Sequence, residues 1–426
     1  MLPNPEERKR MRQEKAIQRQ QQRKKTLLRL AIAAVVLICC GVLIFALSRK
    51  QPSASQKETE PVSQTTPGTS ETTPETTPEA TTASSTVIHY AAVGDLNINE
   101  ATVYAGGASL DYTNTFSDVA HLLADADITS VNFEGNLYGA PYGSNHSAPQ
   151  TMAAALQKAG VDLVQMANSY SINRGLAGLS ASIDAIRAAG MEPLGVYATN
   201  EAFKAGKGYT IRTVEGIKLA FVAFTKGMDG MALPPGSENC VNVLYTDYDS
   251  AYQSVDSAKI TSILASVAKE KPDLVIALLH WGSEFNNTIS SSQEKIVKLM
   301  QSNGVDAIIG THSHYVQKMT LDETTGQFVA YSLGDFASDA KKAGSEYSVV
   351  LDLEITKDNT TGETKITNFS YTPIFSVNEE GFPMRVVRIR ETMKAYEDNY
   401  IEKISAATYE KMAYALTRIE ARVKGE

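Results

Sequence analysis

Leu30 to Leu47 is an unbroken apolar run of 18 residues, and Leu27-Leu28 extends it past Arg29. No other stretch limits the architecture of the chain so strongly. A run of that length spans a bilayer as a helix, the one single-segment form that satisfies its own backbone in lipid. The preceding residues 1–25 carry nine Lys/Arg against three Glu, a charge of about +6. That positive flank keeps the N-terminal end in the cytoplasm and places the remainder outside. A cleaved signal peptide ending near Ala46-Leu47-Ser48 is the alternative, although signal cores are usually shorter. Cys39-Cys40 lie within the run rather than at its end, which speaks against a lipoprotein.

After the run, residues 51–86 are Ser, Thr, Pro and Glu with Glu-Thr-Thr-Pro repeated at 71–74 and 75–78. Such a segment buries too little apolar surface to offset its ordering entropy, so it reads as a semi-extended spacer. The chain thus divides into a basic tail 1–26, a membrane helix 27–48, a linker 49–86, a globular domain 87–385 and a helical extension 386–426. Cys240 is alone in the exported part, so no internal disulfide forms there. With the tail's +6 set aside, the total of −8 leaves the remainder near −14, which argues against nucleic acid as a partner.

In the exported part, strand-like and helix-like stretches alternate, the signature of an α/β domain. Strands are expected at 87–93, 127–132, 162–167, 209–214, 217–224 and 273–280, and then at 306–310. Helices are expected at 116–124, 148–159, 176–189, 251–270 and 291–303, with one long amphipathic helix over 391–422. Glu215-Gly216 between two β runs signals a hairpin. A second hairpin is expected over Asp322 to Gly326, and further β structure at 347–355 and 365–374. Hairpins in the second half point to a mixed sheet, or to two sheets packed between helices.

The chemistry gathers at strand ends. Gly310-Thr-His-Ser-His314 follows a buried strand, and His280 ends another; the chain has only six histidines. In open α/β sheets, ligands collect outside the carboxyl ends of the strands. Asp95, Asn132, Glu134, Asn168, His280, His312, His314 and Asp335 all fall at such ends. Carboxylates and neutral imidazoles without thiolate suit Mn, Fe or Zn. Two such metals would clamp a phosphate-like anion and activate water. Each residue also has a structural alternative: Asp95 as a helix cap, Asn168 as a loop brace, and Glu134, His312, His314 and Asp335 as turn residues.

Five motifs in this order resemble those of the CapA family, capsule-synthesis proteins linked to poly-γ-glutamate. They are Ala92-Val-Gly-Asp95, Val131-Asn-Phe-Glu134, Leu279-His-Trp-Gly-Ser-Glu284, Gly310-Thr-His-Ser-His-Tyr-Val-Gln317 and Ala330-Tyr-Ser-Leu-Gly-Asp-Phe336. The resemblance implies a calcineurin-like metallophosphatase fold, a four-layer α-β-β-α sandwich. It implies that Asp95, Glu134, His280, His312 and His314 hold a divalent transition metal, in a centre that is dinuclear in such folds. Tyr170, Asn168 and His280 are then the catalytic candidates, with Asn132, Trp281 and Asp335 at the substrate wall. The chain departs from the family pattern at Ser169 and Tyr170, where a metal-binding Asn and a proton-donating His are usual, and at Thr311 and Asp335. Two functions follow as expectations. One is a membrane-anchored, extracellular hydrolase or transferase acting on an anionic polymer or a phosphoester. The other is a non-catalytic polymer-binding or scaffold component that contacts integral membrane partners of capsule synthesis.

Overall fold

The structure is a computed structural model that describes residues 84–340, 342–400 and 404–426. The expected tail, the membrane helix and all but the last residues of the linker lie outside the described residues. Among the described residues, no helix is long and apolar enough to cross a membrane.

In chain order the first half comprises β1 Ser85–Asn97, α1 Glu100–Tyr104, α2 Thr113–Phe116, α3 Ala120–Asp125, β2 Ile128–Glu134, α4 Gln150–Ala159, β3 Leu163–Gln165, α5 Gly175–Ala188, β4 Glu192–Leu194 and α6 Asn200–Gly206. Next come β5 Tyr209–Val214, β6 Ile217–Thr225, α7 Ser257–Lys269, β7 Leu274–His280, α8 Ser291–Gln301 and β8 Ala307–Thr311. The rest is β9 Met319–Asp322, β10 Gln327–Ala330, β11 Asp335–Ala337, β12 Tyr347–Asp358, β13 Thr364–Val377, β14 Arg385–Arg388, α9 Ile389–Glu397 and α10 Ala406–Lys424.

The strands form two mixed sheets. One runs β14-β13-β12-β1-β2-β3-β4, with β11 also pairing β1; the other runs β5-β6-β7-β8-β10-β9. Strands β1 to β4 are mutually parallel, and so are β6, β7, β8 and β10. Their sequences are near-continuous apolar runs because both faces are covered. In β6, Leu219, Phe221 and Ala223 pack inward with Ile88, Tyr90 and Ala92 of β1, while Ala220, Val222 and Phe224 pack outward under α7 and α8. The outer face of the first sheet is covered by α2 to α5 through Phe116, Leu123, Met152, Leu156 and Ile183. Helices, sheet, sheet and helices make the four expected layers.

Glu215 and Gly216 both have positive φ, 48° and 80°, as a two-residue turn of type I′ requires. The structure departs from the sequence expectations at weaker signals. The helix expected over 116–124 is split into α2 and α3. The helix expected from 251 starts at Ser257, because the Asp256 side chain accepts from Lys259 N at 3.0 Å and caps it. The long C-terminal helix is two, α9 and α10, the second capped by Ser405. Helix α10 buries Met412, Ala415, Ile419 and Val423 in the same core as Leu351 and Leu353 of β12. The short elements α1, α6, β11 and β14 carry too few residues for periodicity to reveal them.

Gly310 on β8 lies against the backbone of Tyr331, just past the end of β10. A Cβ there would lie 1.9 Å from Tyr331 O and 2.5 Å from Trp281 Nε1. Gly310→Ala therefore forces β8 away from its neighbour. We expect a loss of about 3 kcal/mol, at the upper end of overpacking costs, read as a lowered urea midpoint with unchanged m-value. An unchanged midpoint would mean that this contact relaxes without cost.

Candidate metal centre

Strand register delivers the polar residues to one place. Asp95 on β1 lies opposite Asn132 on β2 and opposite Asp335 on β11, and Asn97 lies opposite Glu134. On the second sheet His280 lies between Thr225 and Thr311. The backbone of β1 comes within reach of the 334 turn because residue 94 is glycine: a Cβ there would lie 1.8 Å from Gly334 O. Asp95 N then donates to that same oxygen at 3.0 Å. The loop after β8 holds His312 and His314 at φ 86° and 58°, a strained conformation for residues other than glycine.

Side-chain bonds knit the two sheets together at this end. Asn132 Nδ2 donates to Asp95 Oδ1 at 2.6 Å, and His312 N donates to Asp95 Oδ2 at 2.9 Å. Asn168 Nδ2 donates to Asn132 Oδ1 at 3.1 Å and to Phe133 O at 2.7 Å, while its Oδ1 accepts from Tyr170 N at 3.0 Å. His314 Nδ1 donates to Asp335 Oδ1 at 2.7 Å. Thr225 Oγ1 donates to Gly227 O at 2.8 Å, so its lone pair accepts from His280 Nδ1 at 3.3 Å. That tautomer leaves the lone pair of His280 Nε2 facing the Glu134 carboxylate, with which it is in close contact. Two acceptors hold such a contact only with a proton or a cation between them.

Burial dominates the electrostatics. It pushes the Asp95 carboxyl up to about 7, with the Glu134 charge adding to the shift. Burial also lowers His280 to about 3 and holds His312 well below the usual imidazole range. For His314, burial acts in the same direction, but the Asp335 charge and hydrogen bond override it and raise the group to about 10.

The ligand atoms fall into two groups, Glu134/His280/His312 and Asp95/His314/Asp335, and within each group they lie within 4.8 Å of one another. Ligands around an ion at about 2.0–2.2 Å are separated by roughly 3–4.4 Å, so each group closes on a cation with small side-chain shifts. His312 Nδ1 is buried without a hydrogen-bond partner, as a ligand nitrogen would be. His280 and His312 are held neutral, the form that coordinates metal. The first group therefore fits a divalent cation as it stands, the second fits one once His314 releases the proton that Asp335 favours, and the N/O donor set suits Mn, Fe or Zn.

Among the expected ligands, Asp95, Glu134, His280, His312 and His314 converge. Asp335, expected at the substrate wall, lines one of the pockets and also stands in the second ligand group. Asn132 and Asn168, both almost fully buried, spend their amides bracing Asp95 and the 168–171 loop. Trp281 is a correction. It is fully buried among Ile296, Met300 and their neighbours in the core under α8, and its Nε1 donates to Tyr331 O at 2.9 Å, so it has no face toward a substrate. Tyr170 lies at the rim, stacked on His146 with ring centroids 3.6 Å apart.

Two pockets flank the centre. His314 and Asp335 open into one, with His146, Tyr170 and Phe285. His312 opens into the other, with Ser169, Lys226 and Tyr252, and Glu284 borders both. Lys226 is lowered mainly by burial; its Nζ donates to Gly282 O at 2.9 Å and lies over the Tyr252 ring. His146 and Lys226 escaped the sequence reading because each lies in an irregular loop. The Gly143-Ser-Asn-His146 turn, holding one of six histidines, was the available signal.

Residues 89–340 match the family described as bacterial capsule synthesis protein PGA_cap. The chain is 28% identical over 258 residues to capsule biosynthesis protein CapA of Bacillus anthracis, covering 58% of each chain. The match thus spans little more than half the length of that relative. It is 24% identical over 301 residues to PGA biosynthesis protein CapA of Bacillus subtilis strain 168, covering 67% of this chain and 72% of the relative. Among solved structures, a calcineurin-like phosphoesterase of Bacillus subtilis is similar at a TM-score of 0.42 and 16% identity, over 78% of this chain and 99% of that one.

Two outcomes are expected of the purified protein. Elemental mass spectrometry should find about two divalent metals per chain after supply of Mn or Zn, and His312→Ala/His314→Ala should lose them. Retention of both metals by the variant would place them elsewhere. In the metal-free protein, the folded state excludes the proton that an unfolded His312 takes up below about pH 6.5. That contribution to stability is full above pH 6.5 and shrinks as pH falls. The stability of wild type relative to His312→Gln should therefore decline by up to about 1.4 kcal/mol per pH unit below that point, checked by urea titrations at pH 7.5 and 5.5. A constant difference would show that His312 titrates normally.

Proposed function

This chain belongs to the bacterial capsule synthesis protein PGA_cap family, and on that premise we propose that it is a membrane-anchored, extracellular enzyme of poly-γ-glutamate or related capsule formation. Its centre acts as a metal-dependent hydrolase or transferase on a phosphoester or an anionic polymer. The observation that carries this reading is the pair of buried carboxylate–imidazole groups at the strand ends, each opening into a pocket. The anchor rests on the apolar run within 27–48 and its basic flank. Integral membrane partners of capsule synthesis would contact that anchor. The name of the Bacillus subtilis relative, PGA biosynthesis protein, supports the polymer, and that of the Bacillus anthracis relative supports capsule formation.

Two divalent cations bound here would supply positive charge to an anionic ester oxygen and make water a stronger nucleophile. The chain's own residues prepare the rest. Asn132 and the His312 backbone each fix one oxygen of Asp95, so its carboxylate has one orientation. Thr225 fixes the His280 tautomer. Burial and the nearby carboxylates raise Tyr170, so its phenol stays neutral and donates a hydrogen bond to an anionic oxygen rather than giving up its proton. Lys226 brings a cation to the second pocket, where a further anionic group of an extended substrate would lie.

Ser169 and Tyr170 favour a second reading, a polymer-binding component without turnover. The experiment is hydrolysis of p-nitrophenyl and bis-p-nitrophenyl phosphates by the metal-loaded chain. Turnover that falls by about 10²-fold or more in Asp95→Asn is expected, since that change removes a ligand rather than a group behind one. An inert wild type that gains turnover in Ser169→Asn/Tyr170→His would sustain the binding reading instead.

A further inference from the structure

We propose that His146 is the proton donor to the leaving group, serving phosphoesters whose leaving oxygen is an unactivated alkoxide. The inference rests on the hydrolase reading above and assigns a residue that no motif of the family resemblance contains.

The turn that carries His146 is built to hold it. Asn145 and His146 have φ of 50° and 52°, left-handed backbone that costs about 1 kcal/mol or more per residue outside glycine. The turn is pinned against the end of β2: Asn136 donates to His146 O through its backbone N at 2.7 Å and its Nδ2 at 3.0 Å, and Ala148 N donates to Asn136 O at 2.9 Å. A strained turn tied at both ends fixes where its side chain goes. His146 Nδ1 lies 3.0 Å from Ile98 O. A carbonyl only accepts, so Nδ1 carries a proton in either charge state, and Nε2 is the nitrogen that gains and loses one.

The ring is stacked on Tyr170 at an interplanar angle of 14° and lines the pocket into which His314 and Asp335 open. Tyr170 occupies the position at which the family resemblance places a histidine. A phenol ordinarily titrates near 10, and burial raises this one further, so it is a poor acid at neutral pH. An imidazole ordinarily titrates near 6.5, which suits general acid work. The stacked pair thus restores an imidazole one ring thickness away from the position where the motif lost one.

In the step, the water oxygen forms a bond to phosphorus while the bond from phosphorus to the leaving oxygen breaks. The electron pair of the broken bond stays on the leaving oxygen, which takes the Nε2 proton of His146. The proton released from the attacking water passes to solvent. His146 is only partly buried and regains its proton from solvent.

The test uses the metal-loaded full chain, with p-nitrophenyl phosphate and an alkyl phosphate as a pair and bis-p-nitrophenyl phosphate and a dialkyl phosphate as another. A nitrophenolate departs without a proton; an alkoxide does not. His146→Asn is the variant because asparagine tolerates the left-handed backbone, and His146→Gln is the second variant. The alkyl-to-nitrophenyl ratio of kcat should fall by about 10²-fold or more in both variants, with added imidazole restoring part of the alkyl rate. Equal losses on both esters, as a purely structural role would give, overturn the inference, as does an unchanged ratio. An active wild type with an unchanged variant ratio sinks this inference alone. A wild type inert on every ester sinks it together with the hydrolase reading.

Discussion

Three carboxylates and three imidazoles are buried together where two sheets meet, and the rest of the structure is arranged to make that tolerable. Asp95, Glu134 and Asp335 come from the first sheet; His280, His312 and His314 come from the second sheet or the loop that leaves it. An ionised group taken out of water costs several kcal/mol even after relaxation, and a whole domain is stable by only about 5–15 kcal/mol. Such a group of residues survives only if cations, protons or hydrogen bonds compensate it. Hydrogen bonds satisfy Asp95, and Asp335 is paired with His314. Glu134 is in close contact with His280 Nε2, and His312 Nδ1 is left without a partner. The unpartnered His312 Nδ1, beside the close Glu134–His280 contact, is the strongest physical argument for a cation at this end of the sheets.

Sheet geometry explains why the groups converge. Parallel strands direct their carboxyl ends one way, and both sheets present those ends on the same side. Neighbouring strands then add their terminal residues side by side: Asp335, Asp95 and Asn132 across β11, β1 and β2, and Thr225, His280 and Thr311 across β6, β7 and β8. The apolar layer between the sheets, from Tyr90 and Phe221 to Ile309, fixes their separation. Gly94 lets the 334 turn come close enough to add Asp335. The site is thus a consequence of register, and the hydrophobic layer holds its two halves at the distance the polar bonds require.

What the sequence revealed follows the same physics. The strands were legible because burial on both faces leaves apolar runs, and their last polar residues could be gathered on the rule that ligands meet at strand ends. Glu215-Gly216 was legible because a two-residue hairpin demands positive φ twice. Trp281 was misplaced because a residue next to His280 on a strand points to the opposite face, here into the core under α8. That Asp335 lies opposite Asp95 was not legible, because its spacing says nothing about β11 pairing with β1. His146 had no periodic signal at all; only the folded turn shows what it faces. The single helix expected near the C-terminus broke because amphipathic spacing on both sides of Ser405 conceals a cap.

The departures at Ser169 and Tyr170 take on a narrower meaning in the folded chain. Neither belongs to the two ligand groups, which close without them. The loop around them keeps its form, because Asn168 Oδ1 still accepts from the Tyr170 backbone and Asn168 still braces Asn132 and Phe133. Ser169 is almost buried at the edge of the second pocket beside His312, where a hydroxyl enlarges the opening that an amide would fill. These departures therefore leave the two ligand groups intact and change the residues that line the pockets beside them. A centre that had lost its function would be expected to lose its costliest feature first, the buried and strained ligands. This chain keeps those and differs in the residues that line the neighbouring pockets, which argues against a site left to decay.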